Sequence, residues 1–306
     1  MKGVLNFVLI VLFVFILFLS ANAEEAKANS RIKLYSLQVK VGFQYDDHVR
    51  LDDNNGALLD EDDTENEKDF AFEGYFSSDY TFINTKAFKM GAGYSHYQTL
   101  YGDVHEYNLT GSIGTLYTKY HLDPFTLAFS YVPSYFMVDS EGYLLRHELK
   151  PEIRWKVGKN IFTRLSYSYR QNDYLSDDTR DGYANNMSLD VYYCFSNNRG
   201  YLFGEIGYED NTASRMNECY EQVATKLGIS FKLPAEINLD LVGKYYNRNY
   251  HAEREDHQYF AGISLSRELD ENLEALAEFD YTKNNSSMEL YEYARKVASL
   301  SVVVSY

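Results

Sequence analysis

The sequence predicts an all-β fold, an antiparallel, up-and-down transmembrane β-barrel of about 14 strands, and three observations point to it. An export signal opens the chain, two-residue alternation runs from Lys33 onward, and the last ten residues read as a closing lipid-facing strand. Those ten, VASLSVVVSY, set Ala298, Leu300, Val302 and Val304 against Ser299, Ser301, Val303 and Ser305, and the chain stops on Tyr306. One face suits lipid, the other is smaller and more polar, and an aromatic ring sits at the interface. Leu300, Val302, Val304 and Tyr306 are therefore the expected membrane-insertion signal, addressed to the barrel-assembly machinery and to outer-membrane lipid.

At the other terminus, Val4 to Leu19 form one apolar run behind Lys2, followed by Ser20-Ala21-Asn22-Ala23. A basic start, an apolar middle and an A-x-A exit describe a secretory signal cleaved after Ala23. Residues 1–23 are thus read as a signal peptide, 24–31 as a short periplasmic leader and 32–306 as the barrel. No later stretch approaches the ~20 apolar residues of a helical span. The mean hydropathy of −0.43 fits strands that show lipid only at every second position. Thirty Tyr against one Trp suit interfacial girdles, where a ring meets lipid and its hydroxyl meets water. A net charge of −16 argues against nucleic acid as a partner. The expected location is the outer membrane of a Gram-negative bacterium.

Turn signals follow in order near Asn84-Thr85, His121 to Pro124, Gly158 to Asn160, Ser196 to Gly200, Leu233 to Ala235 and Asp270 to Asn272. They recur at roughly 36 to 40 residues, and each unit holds two long strands of period two, so the repeat is one hairpin. Longer, mostly acidic connections alternate with them: Asp46 to Glu67, Leu100 to Val104, Asp139 to Glu141, Tyr174 to Asp181, Asp210 to Asn217, Tyr250 to Glu255 and Asn284 to Glu289. Short periplasmic turns and longer external loops are the bacterial pattern, with both termini on the short-turn side.

Side-chain alternation sets the register strand by strand. Phe125, Leu127, Phe129 and Tyr131 point out while Thr126, Ala128 and Ser130 point in. Met187, Leu189, Val191, Tyr193 and Phe195 oppose Ser188, Asp190 and Tyr192; Leu273, Ala275, Ala277, Phe279 and Tyr281 oppose Glu274, Glu278 and Asp280. A slip by one residue would put those carboxylates in hydrocarbon. Pro133 and Pro151 point outward within the fifth and sixth strands, and bulges are expected there, with a lateral opening as the functional alternative. Cys194 is expected inward near a short turn and Cys219 outward near a long loop, too far apart for a disulfide.

The lumen carries the expected functional residues. Arg146, Lys150, Arg154, Arg164 and Arg170 point inward on the sixth and seventh strands, with Glu148 and Glu152 among them. Glu274, Glu278 and Asp280 point inward on the thirteenth, diametrically opposite in a ring of fourteen. These eight are the expected pore-lining residues, and a positive wall facing a negative one would set a transverse field and ion selectivity. The alternative is local pairing with neighbouring strands. From Asp46 to Glu67 the chain holds ten carboxylates and one Arg. Aligned as a calcium loop on Gly56, it puts Leu51 in the first ligand position, so a solvated acidic loop is expected instead. Asp46-Asp47-His48 could imitate a protease site, and His96 and His147 face outward, where a surface lipid hydrolase would keep its base. None has a partnered nucleophile at suitable spacing, and the seven His show no metal spacing. No enzymatic activity, metal or cofactor is expected.

The segments VGFQYDDHVRL, YLLRHELKPEIRW and YEYARKVASLSVVVSY resemble the barrel module of surface lipoprotein assembly modifiers and related outer-membrane barrels. In that family a periplasmic domain of tetratricopeptide repeats precedes a fourteen-stranded barrel, and the pair helps move lipoproteins to the cell surface. Here only Glu24 to Arg31 separates the expected cleavage point from the first strand, so the barrel is expected without that domain. The resemblance implies a transport or secretion pore of unknown cargo, with a separate periplasmic helper or a secreted lipoprotein as partner. A passive, monomeric, porin-like diffusion channel and a non-conducting surface protein with acidic binding loops remain as alternatives.

Overall fold

A computed structural model describes residues 34–49, 67–195 and 199–306. The expected signal peptide and leader, most of the acidic first loop and the middle of the turn at 196–199 lie outside the described residues. Fourteen strands are described. The first five are β1 (Tyr35–Asp46), β2 (Asp69–Asn84), β3 (Phe88–Tyr101), β4 (Leu109–Leu122) and β5 (Phe125–Val138). Next come β6 (Glu141–Lys156), β7 (Ile161–Tyr174), β8 (Gly182–Phe195), β9 (Gly200–Ala213) and β10 (Tyr220–Lys232). The last four are β11 (Ile237–Tyr250), β12 (Glu255–Asp270), β13 (Leu273–Ser286) and β14 (Tyr293–Ser305). Each pairs antiparallel with its sequence neighbours, and β1 pairs with β14, so the sheet closes. A 14-residue strand extends ~46 Å. Tilted by about 40°, it spans a hydrocarbon layer with a few residues to spare at each end.

Closure rests on the register of β1 against β14, from Gln38↔Ser305 to Asp46↔Val297. Beyond it the Tyr306 amide donates to the Leu37 carbonyl at 2.9 Å, and the Leu37 amide donates back at 3.1 Å. Tyr306 thus extends the ladder by one more pair. Leu300 is 69% exposed on the outer surface while Ser299 and Ser301 are buried on the lumenal one. Val302 and Val304 share the face of Leu300, as the alternation predicts. The other assigned faces also hold: Phe125, Leu127 and Phe129 are exposed, as are Met187, Leu189, Val191 and Tyr193. A hydrophobic outer band suits lipid, and closure leaves no open sheet edge in the hydrocarbon.

The turn end matches expectation, but the loop end is tighter than predicted. Val138 and Glu141 are joined by Asp139 and Ser140 alone, both at positive φ (46° and 66°), which suits the right-handed twist of a hairpin. A long external loop at Asp139 to Glu141 is therefore replaced by a two-residue turn. Four other loops each carry one 3-10 turn, at His105–Tyr107, Asp178–Arg180, Met216–Glu218 and Glu289–Tyr291. The same device fastens two of them: Asn108 and Asp181 accept the amides of Tyr101 and Tyr174 seven residues back. In one of these loops the Thr179 hydroxyl and amide hold the Asp177 carboxyl below its ordinary range.

Three further expectations are corrected. Neither proline produces a bulge. Gly114-Thr115 and Val132-Pro133 drop out of the β4–β5 ladder, and Lys150-Pro151 drops out opposite Tyr167-Ser168, without any change of register. The missing N–H costs local bonds, yet a slip would turn every side chain to the wrong face. Bulges lie elsewhere, at Thr81/Ile83, Phe136/Met137 and Glu268/Asp270. Both cysteines are free, and Cys194 faces the lumen side of β8. Cys219, however, is buried in the loop before β10, its Sγ against the Ala213 backbone, instead of facing outward. Tyrosine is not confined to girdles either: Tyr97, Tyr101 and Tyr117 face the lumen. Tyr97 packs over Gly111 and Tyr117 over Gly91, where any β-carbon would collide with the ring.

Candidate functional site

Closure of the alternating strands gathers their polar faces into one lumen, and the charged side chains there are arranged in levels. Near the loop end of β1, Asp46 is fully buried and takes a two-pronged contact from Arg295 on β14, with Nη2 at 2.6 Å and Nε at 3.0 Å. The Tyr101 hydroxyl donates to the same carboxylate at 3.1 Å, and Gln44 donates to that hydroxyl. Asp46 therefore belongs to the wall, not to a solvated loop or a protease-like site. At mid-height Lys40 reaches Glu278 at 2.8 Å and Glu73 at 3.6 Å, tying β1 to β13 and β2. Toward the turn end Arg164 binds Asp190 through two bonds of 2.9 Å. Glu152 lies among Arg154, Lys150 and Arg164 at 2.8 to 4.0 Å. These ion pairs join strands no more than two apart.

All eight residues expected to line the pore point into the lumen. Arg146, Lys150 and Arg154 lie on that face of β6, Arg164 and Arg170 on that of β7, and Glu274, Glu278 and Asp280 on that of β13. Six strands lie between β6 and β13 in either direction round the ring, so the two walls do oppose each other. Several of their charges, however, are met close at hand. Glu209 takes Arg170, Asp190 takes Arg164, and Lys40 takes Glu278. Glu274 makes no ion pair among the described residues. Where such a pair forms, the partner at contact distance interacts far more strongly than charges a lumen apart.

Sequence reasoning missed Asp46, Arg295, Lys40, Asp190 and Glu209 as pairing residues. Their partners are 26 to 249 positions away in the chain. A usable signal existed for one of them. Folding the chain about residue 177, within the loop at 175–181, places Arg164 opposite Asp190, which is their observed register. On the outer surface His96 lies 3.0 Å from the Ser112 hydroxyl of the adjacent strand, and His147 lies 2.8 Å from Tyr131. The His96 and Ser112 pair is one that spacing along the chain concealed. The strand amides beside it belong to the β3–β4 ladder.

The pattern of two-residue alternation and lumenal charge extends over the part of the chain that a known family shares. The sequence model of the surface lipoprotein assembly modifiers matches residues 74–305. The chain belongs to the surface lipoprotein assembly modifier family. No curated protein matches it. Among solved structures, OmpT of Vibrio cholerae is similar with a TM-score of 0.56 at 5% identity, covering 89% of this chain and 96% of that one. An anion-selective porin from Comamonas acidovorans gives 0.53 at 10% identity, covering 89% and 98%. A bacterial polysaccharide outer membrane secretin gives 0.53 at 10%, covering 88% and 98%. At such identities the likeness concerns the fold, an outer-membrane barrel of the Gram-negative type. This modifier-family barrel is porin-like in architecture.

Proposed function

We propose that the barrel is a transport or secretion pore, serving the export of polar cargo to the cell surface. The observation that carries the reading is the sideways pairing of the lumenal charges. Because Arg164–Asp190, Arg170–Glu209 and Lys40–Glu278 lie along the wall, they fill its surface without bridging the barrel axis. Membership of the surface lipoprotein assembly modifier family supports a secretory cargo, with a lipoprotein and a periplasmic helper as partners. In this reading Arg146, Lys150, Arg154, Arg164, Arg170, Glu274, Glu278 and Asp280 line the path, and the strand ending at Tyr306 is read by the assembly machinery. A passive diffusion channel is the second reading, favoured by a polar wall carrying both signs.

Planar-bilayer recording on refolded protein tests the pore. A steady open level that falls with salt concentration is expected. A silent bilayer with protein that migrates as folded on an unheated gel would exclude both readings. Secretion is separated from passive diffusion by co-expressing a lipoprotein and shaving intact cells with protease. Cleavage of that lipoprotein only when the barrel is present is expected for secretion, and cleavage independent of the barrel leaves the diffusion channel.

A further inference from the structure

The turn ends of the strands, at the periplasmic mouth, carry charges that the lumenal ion pairs do not absorb. Lys89 on β3 and Lys119 on β4 lie directly opposite each other on the lumenal face, the face of Tyr117. Like charges so placed destabilise a sheet, and neither lysine makes an ion pair among the described residues. The charge of Arg154, on β6, also acts on Lys119. Lys156 ends β6 on the face of Arg154, its ammonium 5.9 Å from the Phe162 ring. Lys86 and Lys159 stand exposed in the β2–β3 and β6–β7 turns. Two carboxylates stand near these five lysines: Asp79, which accepts from the Tyr117 hydroxyl at 2.8 Å, and Asp123 in the β4–β5 turn. Glu152 and Asp190 are already held by Lys150, Arg154 and Arg164. A recess of about 520 Å³ opens beside the arc, with His121, Arg154, Lys156 and Tyr192 in its lining. Across the mouth the sign reverses: Glu268 lies directly opposite Glu274, and Asp240 shares their lumenal face on β11.

We propose that this basic arc docks an acidic polypeptide segment of a periplasmic partner. Charge complementarity selects the sign: the whole chain carries −16, yet the arc is locally positive. The acidic external loops lie at the far ends of the strands, about 35 Å away along the membrane normal. That is several Debye lengths, so they are screened from the mouth. The direction of the side chains selects the source. Lys89, Lys119, Arg154 and Lys156 face the lumen, where a lipid headgroup outside the wall does not reach them. Width selects a polymer over a small ion. From β3 to β6 the arc crosses three strand spacings, about 14 Å, which an extended segment of four or five residues matches. A single phosphate or carboxylate would engage only one neighbouring pair. This inference deepens the pore reading by giving the chemistry of the partner, and rests on it for a polypeptide that approaches the periplasmic mouth.

Fluorescence anisotropy on the refolded full barrel in detergent tests the surface, with labelled hexaglutamate as the probe and hexaglutamine as its neutral counterpart. Hexaglutamate is expected to bind at least tenfold more tightly, and to weaken several-fold between about 50 and 200 mM salt. Lys89→Gln combined with Lys119→Gln should lower its affinity at least tenfold. Arg267→Gln combined with Lys283→Gln removes the same charge from the outer surface and should leave the affinity within twofold. If the first double variant does not fold, Lys156→Gln combined with Lys159→Gln is expected to lose several-fold. Equal binding of hexaglutamine, an equal loss in the outer-surface variant, or unchanged affinity in the mouth variants would each overturn the proposal. So would displacement by inorganic phosphate at matched charge, which marks a small-anion site, or no saturable binding. Since binding is read without conductance, hexaglutamate binding by a silent barrel would sink the pore and spare the surface. An open channel that ignores hexaglutamate would do the reverse.

Discussion

Truncating Asp46 by Asp46→Ala is the sharpest test of how the barrel is held shut. Asp46 is 0% exposed and faces Arg295 across the β1–β14 junction through contacts of 2.6 and 3.0 Å. Removing one member of a buried pair leaves the other charge stranded, which costs about 3–5 kcal/mol. The lumen can admit water to Arg295, so the lower end applies, about 3 kcal/mol, or roughly a hundredfold in the folded-to-unfolded ratio. The position matters because β1 shares nine ladder positions with β14 against twelve with β2, so little else can take up the loss. Urea unfolding in lipid vesicles, read by gel mobility without heating, gives the number. The double replacement Asp46→Leu with Arg295→Met should cost at least ~1 kcal/mol less than the sum of its singles, since no charge is then stranded. A single-variant cost under about 1 kcal/mol, the ordinary value of an exposed pair, or strict additivity would refute the reasoning.

Three other outcomes follow from the same geometry. Glu278→Gln removes the 2.8 Å partner of Lys40 and should move the reversal potential in a salt gradient toward anions; an unchanged potential would show that this pair does not face the conducting path. Leu300→Arg puts a charge on the lipid face of β14 and should destabilise the barrel by about 2 to 4 kcal/mol, measured by the same urea titration, whereas a neutral result would place that residue outside the hydrocarbon. Gly111→Ala drives a methyl group into the Tyr97 ring, and a cost of about 1–3 kcal/mol is expected by thermal unfolding, with Tyr97→Leu restoring part of it.

Much was legible in the sequence, because a membrane barrel imposes a rule on nearly every residue. Alternation, the turn spacing and the terminal VASLSVVVSY suffice for strand number, lumenal face and closure, since lipid penalises any other register. The inward direction of Arg146, Arg164 and Glu278 follows from that rule alone. What each charge touches does not, because it depends on how strands are sheared against one another. Lys40 finds Glu278 two strands away, and Arg170 finds Glu209 across β8. Likewise Asp46 looks like part of an acidic loop until Arg295, 249 positions later, comes round the ring. Periodicity belongs to the chain and is set by local geometry and solvent. Pairing belongs to the closed cylinder, where contact falls off within a few ångströms, and only the assembled sheet decides which side chains come that near.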